Sequence, residues 1–266
     1  MKGVLRKTRV VAVLVVAALG LAGCGTSKPA RKNVLTPQPS ATGDSVALFR
    51  SLHVDQDMVK AGKAGRWAKR PMRPTYITIH STENYSRAAD AHQHAKALKN
   101  GALRGRNSLG YLIWHFTVDD RCVVQHMPLN ERGEHADFDG PGNRCSIGIE
   151  MCENKGSNRA VTTDRAARLA GVLMHAYGIP LRNVVPHYHW PRAKCPGSPH
   201  KDCPHYLLDN KRPGKTWNYF LARVSHYART ARDADAAGAV AGPNPVAMQM
   251  FFERGSMVRQ GYYAGR

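Results

Sequence analysis

Acidic residues are scarce in this chain of 266 residues: Asp and Glu total 19 against 39 Lys and Arg, for a formal net charge of +20. Such an excess of positive charge points either to a polyanionic partner or to a basic leader and linker. Aromatic residues make up only 8% of the chain, and no stretch interleaves them with basic residues as nucleic-acid-binding surfaces do. The sequence therefore predicts no nucleic-acid partner.

Cysteine is also scarce, since six residues are too few for a small fold framed by disulfides. Cys145 and Cys152 stand at the two ends of a candidate strand. An extended segment of this length spans about 23 Å, whereas a disulfide joins Cα atoms about 4.4–6.8 Å apart. These two cysteines are therefore not expected to pair with each other.

The first 24 residues have the pattern of an export signal. An uncharged apolar run over residues 10–19 follows four basic residues, Lys2, Arg6, Lys7 and Arg9, and it is too short for a permanent membrane-spanning helix. The tetrapeptide LAGC, which ends at Cys24, resembles the lipobox of bacterial lipoproteins, whose cysteine is lipidated. The resemblance implies a signal peptide at residues 1–23 and a lipid anchor on Cys24 that holds the protein at a membrane of the cell envelope. In an envelope with two membranes, that place would be the outer membrane or a surface facing the periplasm.

Composition divides the rest of the chain into three parts. Residues 24–70 contain the lipidated cysteine, a linker, and an N-terminal brace with a short helix around residues 46–59. Residues 229–266 are an Ala-, Gly- and Pro-containing tail that is expected to be poorly ordered. The intervening residues 71–228 have the usual length of one domain.

Strand and helix patterns alternate within that domain. The strand patterns are at residues 75–80, 111–118, 122–124 and 146–152. The helix patterns run over residues 86–98 with Ser86 as cap, from Thr162 or Thr163 to residue 177, and over residues 217–228. This order predicts a single α/β domain with a central mixed β-sheet flanked by helices.

The strand at residues 146–152 carries a carboxylate on a rigid element. Its alternation places Ile147, Ile149 and Met151 on the buried face, so that Glu150 lies on the opposite face. Taken alone, this pattern is more typical of an ion-paired surface glutamate than of a catalytic one. Other residues are needed to give Glu150 a chemical role.

Three potential metal ligands lie at the ends of elements beside this strand. His80 ends the first strand, His187 follows a helix and a Val-Val pair, and Cys203 lies downstream. A lone histidine is usually a hydrogen-bonded core residue. Two imidazoles, one thiolate and a nearby carboxylate together favour a tetrahedral zinc site at the sheet face, with one position left open for water.

Six short motifs in this chain occur in the order seen in zinc-dependent N-acetylmuramoyl-L-alanine amidases. They lie at residues 76–80 (YITIH), 114–120 (WHFTVDD), 125–131 (QHMPLNE), 135–136 (HA), 146–150 (SIGIE) and 201–204 (KDCP). As an ordered set they are specific, although each is weak alone. The chain thus resembles, over residues 71–225, the superfamily that also holds phage amidase lysozymes and peptidoglycan recognition proteins.

The resemblance implies roles for individual residues. His80, His187 and Cys203 fall on the zinc ligands, and Glu150 falls on the catalytic acid position. Lys201 is the lysine two residues before the third ligand, where it would stabilise the oxyanion, and His135 resembles a substrate-cleft histidine. The implied substrate is peptidoglycan or muropeptides, cut between N-acetylmuramic acid and L-alanine. We expect the protein to act as a monomer.

Two alternatives remain open from the sequence. The family commonly places its cysteine about eight residues after the second histidine, and Cys195, preceded by Lys194, lies at that shorter distance. Cys203 is favoured because Lys201 stands at the expected offset and the segment after it also resembles the family. The second alternative is a binding protein of the same superfamily that recognises peptidoglycan without cleaving it.

Overall fold

A computed structural model describes residues 45–66, 70–105, 110–190, 202–236 and 245–254, all of which belong to one unit that spans residues 34–266. The strands are β1 (Val54–Gln56), β2 (Tyr76–Ser81), β3 (Phe116–Val118), β4 (Val123–Gln125), β5 (Ser146–Met151), β6 (Val184–Pro186), β7 (Leu208–Asp209) and β8 (Arg212–Pro213). The helices are α1 (Ser45–Arg50), α2 (Ala91–Lys99), α3 (Pro141–Cys145), α4 (Arg159–Tyr177), α5 (Lys215–Ala236) and α6 (Pro245–Arg254).

Six strands form a mixed sheet in the order β1-β4-β3-β5-β2-β6. Among the described strands of this sheet, β3 and β4 alone pair antiparallel. β2 runs parallel to both β5 and β6, β3 to β5, and β1 to β4. β7 and β8 form a separate two-stranded ribbon. The predicted α/β class with a central mixed sheet flanked by helices is confirmed.

One face of the sheet carries the main hydrophobic core. The apolar residues of β2 and β5 that point to this face are those predicted from the alternation, Ile77, Ile79, Ile147, Ile149 and Met151, and all are buried. They belong to one hydrophobic cluster with residues of α1, α4, α5 and α6, in which α4 contacts β3 and β5 directly. Gly171 of α4 permits close packing on α5, because a Cβ there would lie 2.7 Å from Cβ of Tyr227. The opposite face carries His80 and Glu150, and α2 covers its β3–β4 part.

Helix α2 begins later than predicted. Ser86 does not cap it, because residues 86–90 form a turn in which Ala89 N–H donates to the Ser86 carbonyl. The cap is Asp90, whose side chain accepts from the N–H of Gln93.

Helix α4, by contrast, begins before Thr162 and Thr163, the predicted caps. Its N-cap is Asn158, whose side chain accepts from the N–H groups of Ala160 and Val161. The two threonines are buried in the first turns of the helix.

Two further segments differ from the predicted elements. The expected helix over residues 46–59 ends at Arg50, because His53 adopts a φ of 50°, and the chain continues as β1. The expected strand over residues 111–118 is regular only at β3. Its earlier part instead makes isolated bridges, with Tyr111 pairing with Arg104 and Ile113 with Glu134.

The described part of the C-terminal region contributes to the core. α5 continues beyond the predicted domain boundary at residue 228 to Ala236, and α6 buries Met248, Phe251 and Phe252 against the rest of the protein. The other residues of the predicted tail, 237–244 and 255–266, lie outside the described residues. Phe252 packs edge to face on Phe49 and Phe116, so its partners lie far away in the sequence. Among the described residues, no helix has both the length and the apolar character needed to cross a membrane.

Candidate metal centre and active site

Three elements bring His80, His187 and Cys203 together. His80 lies near the carboxyl end of β2, and His187 opens a 3-10 turn directly after β6. Because β2 and β6 are parallel neighbours, their carboxyl ends meet at one edge of the sheet. Cys203 is held there by the N–H of Ser81, which donates to its Sγ at 3.4 Å. The ligand atoms of all three residues lie within 4.8 Å of one another, and the residues are buried.

A backbone contact sets the tautomer of His187. Its Nε2 lies 2.9 Å from the carbonyl oxygen of Ala136. A carbonyl oxygen only accepts, so Nε2 carries the proton and the lone pair of the ring is on Nδ1. A metal-binding histidine commonly donates its other N–H in this way.

A chain of two hydrogen bonds sets the tautomer of His80. The Nε2 of His135 lies 3.2 Å from the Ser146 carbonyl, so it donates, and burial keeps the pKa of His135 well below its usual value and the ring neutral. Nδ1 of His135 therefore accepts, and its partner at 3.1 Å is Nε2 of His80. His80 thus donates from Nε2 and has its lone pair on Nδ1.

Gly148 and His115 lie next to His135 and help to fix the position of its ring. A Cβ at Gly148 would lie 2.8 Å from Nδ1 of His135, so only glycine allows the ring this position. The N–H of Gly148 donates to Nδ1 of His115 at 3.0 Å, and Nε2 of His115 donates to the Glu131 carbonyl at 2.9 Å. Burial lowers the pKa of His115 to about 4. No role of His115 was predicted from the sequence, although this residue lies within one of the six motifs.

Glu150 faces the metal centre from the neighbouring strand. It pairs in register with His80, and its Oε1 lies 4.0 Å from Nδ1 of that histidine. The side chain is 13% exposed, and its Oε2 has no hydrogen-bond partner among the described residues. Burial raises the pKa of Glu150 to about 8, with the charges of Glu83 and Glu153 adding to the effect. A carboxylate in this position is suited to exchanging protons near neutral pH.

A cavity of about 760 Å³ begins just beyond β5. Its wall includes Glu153, the residues that start α4, and the side chains of Tyr85 and Tyr206. The guanidinium of Arg159 lies 3.2 Å from the centroid of the Tyr206 ring. The lining also includes Cys152, two residues along the chain from Glu150.

The other predicted site residues are placed as follows. His135 is buried, and both of its ring nitrogens contact protein groups, so it lies behind His80 rather than along an open cleft. Lys201, Cys195 and Cys24 lie outside the described residues.

The donor set fits a divalent ion of intermediate softness. Two imidazole nitrogens and one sulfur, each buried and within 4.8 Å of the others, are the ligand types that Zn²⁺ prefers and are poor ligands for Mg²⁺ or Ca²⁺. Among the described residues three side chains supply ligands, which is the number found in catalytic zinc sites, whereas structural zinc sites have four.

Comparisons with known proteins identify the family to which the chain belongs. The N-acetylmuramoyl-L-alanine amidase family model matches residues 70–206. N-acetylmuramoyl-L-alanine amidase XlyA of Bacillus subtilis (strain 168) is 42% identical over 174 residues, which cover 65% of this chain and 51% of XlyA. N-acetylmuramoyl-L-alanine amidase CwlH of the same strain is 42% identical over 156 residues, which cover 58% of this chain and 54% of CwlH.

Solved structures give the same result. The catalytic domain of XlyA superposes with a TM-score of 0.54 at 42% identity, covering 65% of this chain and 99% of that domain. The chain thus spans about half the length of the two curated relatives and nearly all of the solved catalytic domain. Because the family model covers more than half of the sequence and includes the whole metal centre, the chain belongs to the N-acetylmuramoyl-L-alanine amidase family.

Proposed function

We propose that this protein is a zinc-dependent N-acetylmuramoyl-L-alanine amidase. Its substrate would be peptidoglycan or muropeptides, in which it hydrolyses the amide between the lactyl group of N-acetylmuramic acid and L-alanine. The observation that carries the proposal is the meeting of His80, His187 and Cys203 beside Glu150. A structural zinc site would have four protein ligands and would need no adjacent carboxylate.

The three ligands would hold Zn²⁺ through Nδ1 of His80, Nδ1 of His187 and Sγ of Cys203. When bound, the ion supplies Lewis acidity that polarises a carbonyl and makes water reactive near neutral pH. Ala136 and His135 hold the two imidazoles in the tautomers that this requires. The Ser81 N–H helps to orient the sulfur.

Glu150 would move the protons. Its carboxylate takes the proton of the attacking water and then delivers it to the nitrogen of the departing L-alanine, so that one group acts first as base and then as acid. Oε1 of Glu150 lies 4.0 Å from Nδ1 of His80, so the carboxylate is next to the residues that would hold the ion. Lys201, assigned by family resemblance, would stabilise the negative charge that develops on the carbonyl oxygen.

Incubation with purified peptidoglycan tests the proposal. We expect the full chain to release new L-alanine amino termini without new reducing sugar ends, to lose this activity in a chelator, and to regain it with Zn²⁺. Binding to peptidoglycan without cleavage in zinc-replete buffer would instead support the binding protein of the same superfamily. Release that persists after complete removal of metal would contradict the proposed mechanism.

We also propose that Cys24 carries a lipid that anchors the protein at a membrane of the cell envelope. The support is the basic and apolar leader followed by the LAGC tetrapeptide. Expression of the wild-type chain and of Cys24→Ser in a bacterial host separates the outcomes. Wild type should sediment with membranes and incorporate labelled fatty acid, whereas equal labelling of Cys24→Ser would exclude this residue as the anchor.

A further inference from the structure

A second group of metal-binding side chains lies away from the active site. Asp55 belongs to β1, His92 to the first turn of α2, and Cys122 immediately precedes β4. β1 and β4 occupy one edge of the sheet, whereas the active-site strands β2 and β6 occupy the other. The three ligand atoms of this group lie within 4.8 Å of one another.

Two of the distances between these atoms match a tetrahedral metal site. Nε2 of His92 lies 3.2 Å from Oδ2 of Asp55 and 3.7 Å from Sγ of Cys122. Ligands bound to Zn²⁺ at about 2.0–2.3 Å in tetrahedral geometry are themselves roughly 3.3–3.7 Å apart. Without a metal, the same atoms form an ion pair between His92 and Asp55 and a hydrogen bond between the His92 imidazole and the Cys122 thiol.

We infer that Asp55, His92 and Cys122 form a second zinc site, with a fourth position left to water. Sulfur and imidazole nitrogen favour Zn²⁺ over Mg²⁺ and Ca²⁺, and one carboxylate oxygen completes a mixed set that Zn²⁺ accepts. The inference concerns residues that take no part in the proposed amidase mechanism, so it does not depend on that function.

Negative charges next to Cys122 favour a cation. The Cys122 backbone N–H donates to Oδ1 of Asp119 at 2.8 Å, which holds the residue in place. The carboxylates of Asp119 and Asp55 both lie close enough to act electrostatically on the Cys122 sulfur, and their negative charge stabilises a cation bound there.

The exposure of the group provides a path for the ion. The side chains of His92 and Asp55 are 52% and 57% exposed, while Cys122 is buried beneath them. Zn²⁺ can therefore reach the sulfur from solvent through the two exposed ligands. Once bound, it would tie the short edge strand β1 to α2 and to the start of β4, which is a structural role.

Zinc stoichiometry of the full chain tests the inference. Protein stripped with a chelator is titrated with Zn²⁺ alone, and bound metal is measured after gel filtration. Cys122→Ser should bind one equivalent fewer than wild type, and Cys203→Ser should bind one fewer at the other site. The double variant should lose both equivalents. The matched control is Cys145→Ser, because the Cys145 thiol belongs to neither group of ligands and its replacement should leave the stoichiometry unchanged.

His92→Ala provides a second variant with a surface position, in case Cys122→Ser does not fold. We expect the affinity of His92→Ala for Zn²⁺ at this second site to fall by more than roughly 10–100-fold. That is the loss typical of removing a residue that only hydrogen-bonds to a metal ligand. Co²⁺ provides an independent probe, because a thiolate-to-cobalt absorption band should appear in Cys203→Ser and vanish when Cys122 is also replaced. Unchanged stoichiometry and affinity in both Cys122→Ser and His92→Ala would overturn the inference and leave a simple ion pair. That result would not affect the Cys203-dependent equivalent on which the amidase proposal rests.

Discussion

His80 donates a hydrogen bond from Nε2 to Nδ1 of His135 over 3.1 Å, and its direction follows from the Ser146 carbonyl, which can only accept from the other nitrogen of His135. A buried backbone oxygen thereby determines which nitrogen of His80 faces the metal centre. The same principle operates at His187 through the carbonyl of Ala136. The active site is therefore shaped as much by these outer contacts as by its ligands.

His135→Ala should weaken zinc binding, because His80 loses the acceptor that fixes its tautomer. We expect about a 10–100-fold increase in the zinc Kd, measured by competition with a chelator. His135→Gln should recover part of the affinity, since its amide oxygen can accept from His80. His226→Ala, a change on α5, is the control, and wild-type affinity in His135→Ala would contradict the assigned role.

Glu150→Gln keeps the size of the side chain and removes its ability to take a proton. Hydrolysis should fall by about 10²–10⁴-fold, while zinc content and the thermal unfolding midpoint stay near the wild-type values. Release of L-alanine amino termini, metal content and unfolding are measured on the same preparation. The control, Glu253→Gln, changes a glutamate of α6. Retention of full activity in Glu150→Gln would mean that another group moves the proton.

Acid should destabilise the metal-free protein through His115. The pKa of this histidine is about 4 in the folded state, against an ordinary value of 6.5, so between these pH values the unfolded chain binds more protons. The contribution of neutral His115 to the free energy of unfolding is therefore fully present above pH 6.5. It is lost as the pH falls towards 4, and its total is about 3 kcal/mol. Denaturant unfolding across this range should show a smaller pH dependence in His115→Gln than in wild type. Equal pH dependence would show that His115 does not titrate as its burial requires.

Phe252→Ala tests whether α6 is part of the folded domain. The ring is fully buried and packs on Phe49 and Phe116, so its removal should lower the free energy of unfolding by about 3–5 kcal/mol. Tyr219→Ala is the control, because Tyr219 is 48% exposed and its loss should cost much less. Similar small effects in both variants would place α6 outside the cooperative unit.

Local patterns were sufficient to predict the central strands and the class of fold. The alternation in β2 and β5 identifies both faces of each strand, because neighbouring side chains point in opposite directions whatever the surroundings. Helix starts were less predictable, since Ser86, Asp90, Thr162 and Asn158 are all capable caps. α6 could not be predicted from its own composition, because what stabilises it is contact with Phe49 and Phe116, more than a hundred residues earlier.

Residue type, and for the choice of Cys203 over Cys195 the family resemblance, led to the expectation that His80, His187 and Cys203 lie together. Their ligand atoms lie within 4.8 Å of one another, and their role as zinc ligands stays a prediction. The position of His135 behind His80 was not predictable, because it depends on the Ser146 carbonyl and on the absence of a side chain at Gly148. The group that contains Asp55 and Cys122 also has no sequence signal, since its members are far apart along the chain and meet only through strand pairing.

Zinc content of two cysteine variants tests whether Cys203 is the third ligand of a catalytic zinc ion. Full-length Cys203→Ser and Cys195→Ser are stripped of metal, titrated with Zn²⁺, and assayed for hydrolysis of peptidoglycan on the same samples. We predict that Cys203→Ser loses one equivalent of zinc together with the activity, whereas Cys195→Ser keeps both. Loss of zinc and activity in Cys195→Ser, with both retained in Cys203→Ser, would contradict this prediction.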